Sequence, residues 1–547
     1  MKINILMVLV FTVFGCTFSQ TLNFNSVKTL TSNGKEYIVD MYIDKNNNMY
    51  TIGTFNAVVD FDDSPGTSSL STTSTDIFIR KNDASGNLLW VKQIGGNGEE
   101  TVGGFNFDNY GNMYIVGSNA SLSIDFDPSP VTSYTVAATT FGRQMFVLKL
   151  SSEGDFKWVN LYGGYFDDYA IDVKNDLLGN VYFAGTITDY TPVGSTTLNP
   201  SNGHAILVKL DSLGNFNWVK QTGGGSSETV YAIDMDKTQN IYMTGSITNG
   251  ATYTYYKKYT NSGTLIWSKS NLALRANDLV VDTVNQKVYL TGLFNGTVDF
   301  DSGSGVSNLT ASSSDAFILK TDTAGNFIWA KNIGSPNVDI GIGIKIDSHE
   351  NVYSVGTFKG ICDFDPSAAN TFTLNGGSSF EVYISKLNSN GDYISANQIG
   401  AQLNDEVNKL EIDKNDCIYI LGAYKGTVDF DLSTGSTYTL TADASNTDAF
   451  LAKYCDGAVN VIENKKQQIN YTIYPNPAKE VLNIKLEISN EEKTTISISN
   501  ILGEVVSSSV VENTNSFTLN TNSLKSGIYF VTVSYQGKQS TKKIIIK

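Results

Sequence analysis

Residues 315–334 read DAFILKTDTAGNFIWAKNIG, two short apolar runs on either side of a Gly-Asn turn, and the pattern returns from Asp76, Gln144 and His204. Such a pair reads as two antiparallel strands. A second signature alternates with it: an Asp, a turn often holding Gly-Asn, then an aromatic-rich run closed by a glycine, as from Asp108 to Gly117. The closing glycines are Gly53, Gly117, Gly185, Gly245, Gly292, Gly356 and Gly422, spaced by 64, 68, 60, 47, 64 and 66 residues. No single copy can bury its own faces, so copies must stack on one another. Seven copies of four short strands predict an all-β fold, a seven-bladed β-propeller, over residues 20–456.

The strands of a blade are lettered a to d from the centre outwards. In the second blade the runs predict a over 101–107, b over 112–117, c over 144–150 and d over 156–161. No stretch sustains a 3.6-residue period, so almost no helix is expected. All five tryptophans, Trp90, Trp158, Trp218, Trp267 and Trp329, fall at one position of strand d, where the sixth copy has Ser395. The seventh copy stops at Cys455 without a strand d, which would leave an edge open to other chains. The missing strand is legible near the N-terminus, where NFNSVK (residues 23–28) lines up with NFNWVK (residues 215–220). Residues 22–30 are therefore expected to complete the last blade and close the ring.

Composition narrows the partners. The formal charge of -16 and a pI near 4.6 argue against nucleic acid or an anionic membrane surface. Only Arg80, Arg143 and Arg275 could supply bidentate anion clamps. Residues 1–19, with Lys2, an apolar run and Thr17-Phe18-Ser19 before Gln20, read as a secretory signal cleaved between Ser19 and Gln20. A lipoprotein site at Cys16 is the alternative. The apolar run is too short to span a bilayer, and no transmembrane segment is expected later.

After Gly457 the repeat ends. Residues 457–470 are polar enough for a linker, and residues 471–547 carry alternating runs that predict a small Ig-like β-sandwich. This segment closely resembles the C-terminal sorting domain of cargo of the bacterial type IX secretion system. The resemblance rests on Tyr474-Pro475-Asn476-Pro477, Leu502-Gly503, Leu524 with Gly527 and Tyr529, and the terminal Lys542-Lys543-Ile run. It implies handling by that secretion machinery and delivery to the cell surface or the medium. The propeller copies resemble the bacterial SBBP repeat, a likeness that implies a fold and no reaction.

Several constellations could carry chemistry. Five b-to-c connections begin Asp-Phe-Asp: Asp60 with Asp62, Asp125 with Asp127, Asp299 with Asp301, Asp363 with Asp365, and Asp429 with Asp431. Carboxylates one residue apart could offer oxygens to a calcium cofactor; the structural alternative is an Asx turn around a buried Phe. The d-to-a loops carry Glu99, Glu100, Asp167, Asp168, Glu228, Asp339, Asp405 and Glu406, expected as a solvated negative face. A lysine stands in strand c of every copy, from Lys81 to Lys453, and a feature present in all blades marks architecture. His204 and His349 have no partner at zinc-ligand spacing, and no Gly-x-Ser-x-Gly elbow occurs. Cys417 opens strand b and Cys455 ends strand c of the seventh blade, antiparallel neighbours that predict a disulfide; Cys362 is expected as a buried apolar residue. The sequence thus points to a non-enzymatic, exported propeller that binds an extracellular protein or glycan. A secreted carbohydrate-active enzyme is the alternative.

Overall fold

The computed structural model describes residues 22–30, 36–62, 64, 66–138, 142–199, 203–222, 227–249, 251–272, 274–400, 403–433, 435–442, 447–456, 471–486, 494–500, 505–511, 516–535 and 538–547. Ser19, Gln20, the linker 457–470 and Gly503 lie outside them. The chain divides into two compact units, residues 1–457 and 458–547.

In the first unit, seven antiparallel sheets with a core of four strands each follow one another along the chain. Blade 2 has a, Glu100–Phe107; b, Met113–Asn119; c, Gln144–Leu150; and d, Phe156–Tyr162. Each strand a lies between the strands a of the adjacent blades. The last of them, Glu406–Ile412, lies beside the first, Glu36–Ile43, so the ring closes. Leu22–Leu30 is the outer strand of blade 7, paired antiparallel with Asp448–Asp456 from Leu22 opposite Asp456 to Leu30 opposite Ala449. Leu22 and Val27 enter the core there.

The core is a set of slabs between blades. Between blades 1 and 2, Tyr50, Ile52, Ile77 and Ile79 pack on Phe105, Ile115, Phe146 and Leu148. Each such side chain contributes about 1.5–3 kcal/mol by leaving water. The closing glycines have a steric cause. A Cβ on Gly117 would sit 2.1 Å from the Thr101 carbonyl oxygen and 2.7 Å from the Phe146 ring, and one on Gly292 would sit 1.8 Å from the Arg275 carbonyl oxygen. Strand b passes too close to strand a for any side chain at that point.

The tryptophans form a second repeated unit. Trp90, Trp158, Trp218, Trp267 and Trp329 each stand edge-on to a strand-b tyrosine at 6.0 to 6.2 Å between ring centres. The strand-c lysine points over that tyrosine, as Lys149 does over Tyr114 at 4.9 Å. Its ammonium then donates to a carbonyl in the c-to-d turn of the next blade. Lys149 reaches Ser212 at 2.9 Å, Lys258 reaches Thr323 at 3.0 Å and Lys320 reaches Ser389 at 2.7 Å. These lysines are inter-blade rivets, a stronger role than covering apolar surface with their stems.

The second unit is a small two-sheet β domain. Tyr471–Tyr474, Val481–Leu486 and Ser516–Asn520 form one sheet, and Val505–Val511, Thr494–Asn500, Gly527–Tyr535 and Lys538–Ile546 the other. Leu482, Ile484, Ile496, Ile498, Val531, Val533 and Ile544 fill the space between. Pro475 and Pro477 both follow cis peptide bonds. Asn476 between them ties its turn to the last strand, accepting from the Ile545 N–H at 2.9 Å and donating to the Lys543 carbonyl at 3.1 Å. The Tyr529 hydroxyl donates to the Lys525 carbonyl at 3.0 Å, and Lys542 donates to the Tyr471 carbonyl.

Candidate functional site: the central channel

Every strand a contains a bulge at the same place. The extra residues are Val39, Gly103, Ile171, Tyr231, Asn277, Ile342 and Asn408. A bulged residue leaves the ladder and turns its side chain away from the sheet. Here the seven bulges face the axis and line a cavity of about 740 Å³. The seven positions hold five residue types, whereas strand c keeps lysine throughout. The fold therefore demands the lysines and leaves the bulge ring free to vary.

Directly after the bulges come Asp40, Asp172, Asp278 and Lys409. Each of these carboxylates accepts the next N–H of its own strand and one N–H of the next blade. Asp172 takes Val173 at 2.7 Å and Ile233 at 2.9 Å, and Asp278 takes Leu279 at 2.8 Å and Ile344 at 3.0 Å. Asp40 takes Met41 at 2.8 Å and Phe105 at 3.3 Å, and pairs with Lys409 at 2.8 Å. Asp234, three residues after the bulge in its strand, accepts from the Val281 N–H at 2.8 Å, and Lys345 pairs with Glu411 at 2.7 Å. Burial raises the Asp278 pKa against the pull of Lys409 and Lys345. Burial works to lower Lys174 and Lys409, but Asp172 and Asp234 around the first and Asp40 and Glu411 around the second hold both above the usual lysine range. The channel is thus a closed acid and lysine network that staples blade to blade. Its carboxylates were missed in the sequence; the signal was an Asp inside an otherwise apolar strand, as in YIVDMYI and YAIDVKN.

At the mouth, Tyr37 stands 47% exposed, with its hydroxyl donating to Asn408 at 3.2 Å; Asn408 donates to the Ile38 carbonyl at 2.8 Å. Phe380, Asn404 and Glu406 continue the lining. Tyr231 lies under the Arg275 guanidinium at 4.7 Å. In the d-to-a and b-to-c loops of blades 2 and 3, Tyr165, Phe166 and Tyr190 are exposed, and Asp189 holds the Tyr165 N–H at 3.1 Å.

The d-to-a acids correct the expectation of a solvated face. Glu99 and Asp167 are exposed, but Glu100, Asp168, Glu228, Asp339 and Asp405 are buried. They fold back to cap the loops: Asp168 accepts from Gly164 and Thr188 at 2.9 Å each and from the Thr191 hydroxyl at 3.0 Å. Burial pushes Glu36 and Glu100 up to about 7, helped by Asp448 and Asp76 respectively, and pushes Asp168 and Asp339 up to about 6, helped by Asp189 and Asp315.

The Asp-Phe-Asp acids sit in Asx turns around buried phenylalanines. The first carboxylate spans the loop: Asp60 accepts from Asp62 at 3.1 Å and Ser68 at 2.8 Å, Asp125 from Asp127 and Tyr134, Asp299 from Asp301 and Ser307, Asp363 from Asp365 and Phe372, and Asp429 from Asp431 and Tyr438. The second accepts an N–H two residues on, at 2.8 to 3.0 Å. Hydrogen bonds from Ser64 and Ser436 hold Asp62 and Asp431 below the usual carboxylate range. Among the described residues no group of three or more His, Cys, Asp or Glu is arranged to hold a metal ion. His204 is buried at the start of strand c against Gln221, and His349 is exposed beside Asp416. The Cys417–Cys455 disulfide is present, with its Cα atoms 4.1 Å apart, and Cys362 is a buried free thiol.

Residues 472–547 match the family described as secretion system C-terminal sorting domain. An uncharacterized WD repeat-containing protein, L264, of Acanthamoeba polyphaga mimivirus is 32% identical over 176 residues, which span 29% of this chain and only 12% of that protein. Among solved structures, the Dos1 propeller aligns at 9% identity and a TM-score of 0.40 over 80% of this chain and 97% of its own. Sqt1 from Chaetomium thermophilum aligns at 9% and 0.35 over 80% and 100%. The chain is a β-propeller protein with a C-terminal sorting domain. That domain implies handling by the type IX secretion machinery and export to the cell surface or the medium, and no helix among the described residues is long and apolar enough to cross a membrane.

Proposed function

We propose that the exported propeller is a binding protein, without enzymatic activity, whose ligand seats in the channel mouth. The observation that carries this reading is the bulge ring: its seven equivalent positions hold five residue types, and they line the central cavity of about 740 Å³. Tyr37, Tyr231 and Phe380 offer flat apolar faces, with Asn404, Asn408 and Glu406 as hydrogen-bonding groups between them. That mixture suits an extracellular glycan or a short peptide. A hydrolase would need two carboxyl groups free to act on substrate. Asp40, Asp172 and Asp278 each spend both oxygens on backbone N–H groups, which favours binding over the carbohydrate-active alternative. We read the blades as SBBP-type repeats and residues 1–19 as the export signal.

A glycan and peptide binding screen of the secreted chain, run beside a hydrolase panel, tests the reading. Tyr37→Ala should weaken the ligand found by about tenfold, as expected for losing one stacked aromatic, at unchanged melting temperature. Equal affinity for the variant would move the site elsewhere, and turnover lost with one carboxylate would favour the enzyme. Deleting residues 472–547 should keep the propeller in the periplasm; normal extracellular amounts of the truncated chain would refute the export route.

A further inference from the structure

We propose that the side chains of Lys386 and Asp456 join in an intramolecular amide bond that locks blade 6 to the end of blade 7. The inference starts from the lysine rivets. In blades 1 to 5 the strand-c ammonium donates to a backbone carbonyl in the next blade's c-to-d turn, at Ser152, Ser212, Asn261, Thr323 and Ser389, and Lys81 alone of these five also reaches a carboxylate in that turn, the exposed Glu153 at 2.7 Å. A peptide carbonyl is a stable partner with nothing to lose. Blade 7 has no c-to-d turn, because its outer strand comes from residues 22–30. Ser152 stands three residues after Lys149, and three residues after Lys453 stands Asp456. The acceptor for Lys386 is therefore a side-chain carboxylate, in direct contact with the ammonium.

The surroundings favour reaction over a simple ion pair. Lys386 is fully buried, and its Nζ also lies 3.5 Å from Asp347 Oδ2. Asp347 accepts from the His349 N–H at 2.9 Å, the Asn351 N–H at 2.8 Å and the Asn351 side chain at 2.7 Å, so three donors fix its position. One buried ammonium thus faces two carboxylates, Asp347 buried and Asp456 partly exposed, an arrangement with an excess negative charge. Passing one ammonium proton to Asp456 leaves that net charge unchanged and creates the reacting pair, a neutral amine against a carboxylic acid. The Tyr353 ring lies 4.8 Å from Nζ, and the position of the blade tryptophan is taken by the smaller Ser395. Asp456 Oδ1 is buried without a hydrogen-bond partner.

The step balances without any co-reactant. Nζ attacks Cγ of Asp456, the C–N bond forms, and one carboxyl oxygen leaves as water with two of the three ammonium hydrogens. The third remains as the amide N–H, directed at Asp347 Oδ2. Proximity in a fixed site replaces the activation that amide formation needs in solution. Asp347 is a positioning residue, because it acts through the amine. The bond would close a loop between residues 386 and 456 and hold the end of strand c of blade 7.

Peptide mapping and mass measurement on the full secreted chain, reduced and denatured, decide the matter. The bond predicts a mass lower by one water than the sequence requires, trypsin resistance at Lys386, and a branched peptide joining the Lys386 and Asp456 segments. Lys386→Arg, which keeps the charge but cannot acylate, should restore the full mass and slow migration on a denaturing gel. Wild-type protein at full mass, with Lys386 cleaved by trypsin, would overturn the proposal, and this outcome does not depend on whether any variant folds.

Discussion

Blades 5 and 7 have the same four-stranded sheet and reach it by different routes. Blade 5 is continuous, from Leu274 to Ile333, and each strand is delivered by a short turn from the one before. Its outer strand carries Trp329, edge-on to Tyr289 and donating to the Ser389 carbonyl at 3.1 Å. Blade 7 takes its outer strand from the other end of the chain, with Ser26 at the tryptophan position. Bringing together ends separated by more than 400 residues costs chain entropy that a hairpin does not. Blade 7 also carries what blade 5 lacks: a disulfide between strands b and c, and the Asp456 contact to Lys386. Where local sequence no longer delivers a strand, cross-links take over from side-chain packing.

The largest effect should follow removal of residues 22–30. Leu22 and Val27 would leave the core at about 1.5–3 kcal/mol each, and the edge of Asp448–Asp456 would lie open. Loss of the monomer peak in size-exclusion chromatography, with a melting temperature lower by about 10 °C or more, is expected; an unchanged monomer would mean that closure does not rest on this strand. Replacing both Cys417 and Cys455 by serine should cost on the order of 3–4 kcal/mol from the loop they close. Denaturant unfolding measures it, and the same loss in a reduced wild-type sample should accompany it. Trp329→Ser makes blade 5 resemble blade 7 without its cross-links. About 2–3 kcal/mol of lost stability is expected, below the range for a fully buried tryptophan; a neutral result would remove the tryptophan from the comparison.

The smallest effect is that of pH, and it acts on most blade junctions alike. Glu36 and Glu100 are raised to about 7 and Asp168 and Asp339 to about 6. Their unfolded values lie near 4, so between these limits the folded protein holds more protons than the unfolded chain. The stability they contribute is fully present near pH 4 and is lost as pH rises through 6 and 7. Thermal melts should therefore be higher at pH 5 than at pH 8 by about a few °C, and Glu100→Gln should flatten the slope. A melting temperature that rises across that range would contradict the assignment.

The blade count and the closing strand were legible because each depends on a local pattern repeated along the chain, and the disulfide because strands b and c of one blade are antiparallel neighbours. Glycine closes strand b in every copy because the strand-a carbonyl leaves no room for Cβ at Gly117 or Gly292. NFNSVK names its partner because a strand in the same register needs the same alternation as NFNWVK. What the chain did not disclose lies where blades meet. An aspartate in strand a reads as a surface charge until the ring places an N–H of the next blade opposite it, as Ile233 stands opposite Asp172. Glu100 and Asp168 sit one residue from exposed acids, and only the return of the loop over them decides which of each pair is buried. The bulge ring and the approach of Asp456 to Lys386 have the same origin. Sequence periodicity fixes what lies within a blade, since it records backbone alternation, whereas a charge pair such as Lys386 and Asp456, 70 positions apart, meets only when neighbouring blades pack.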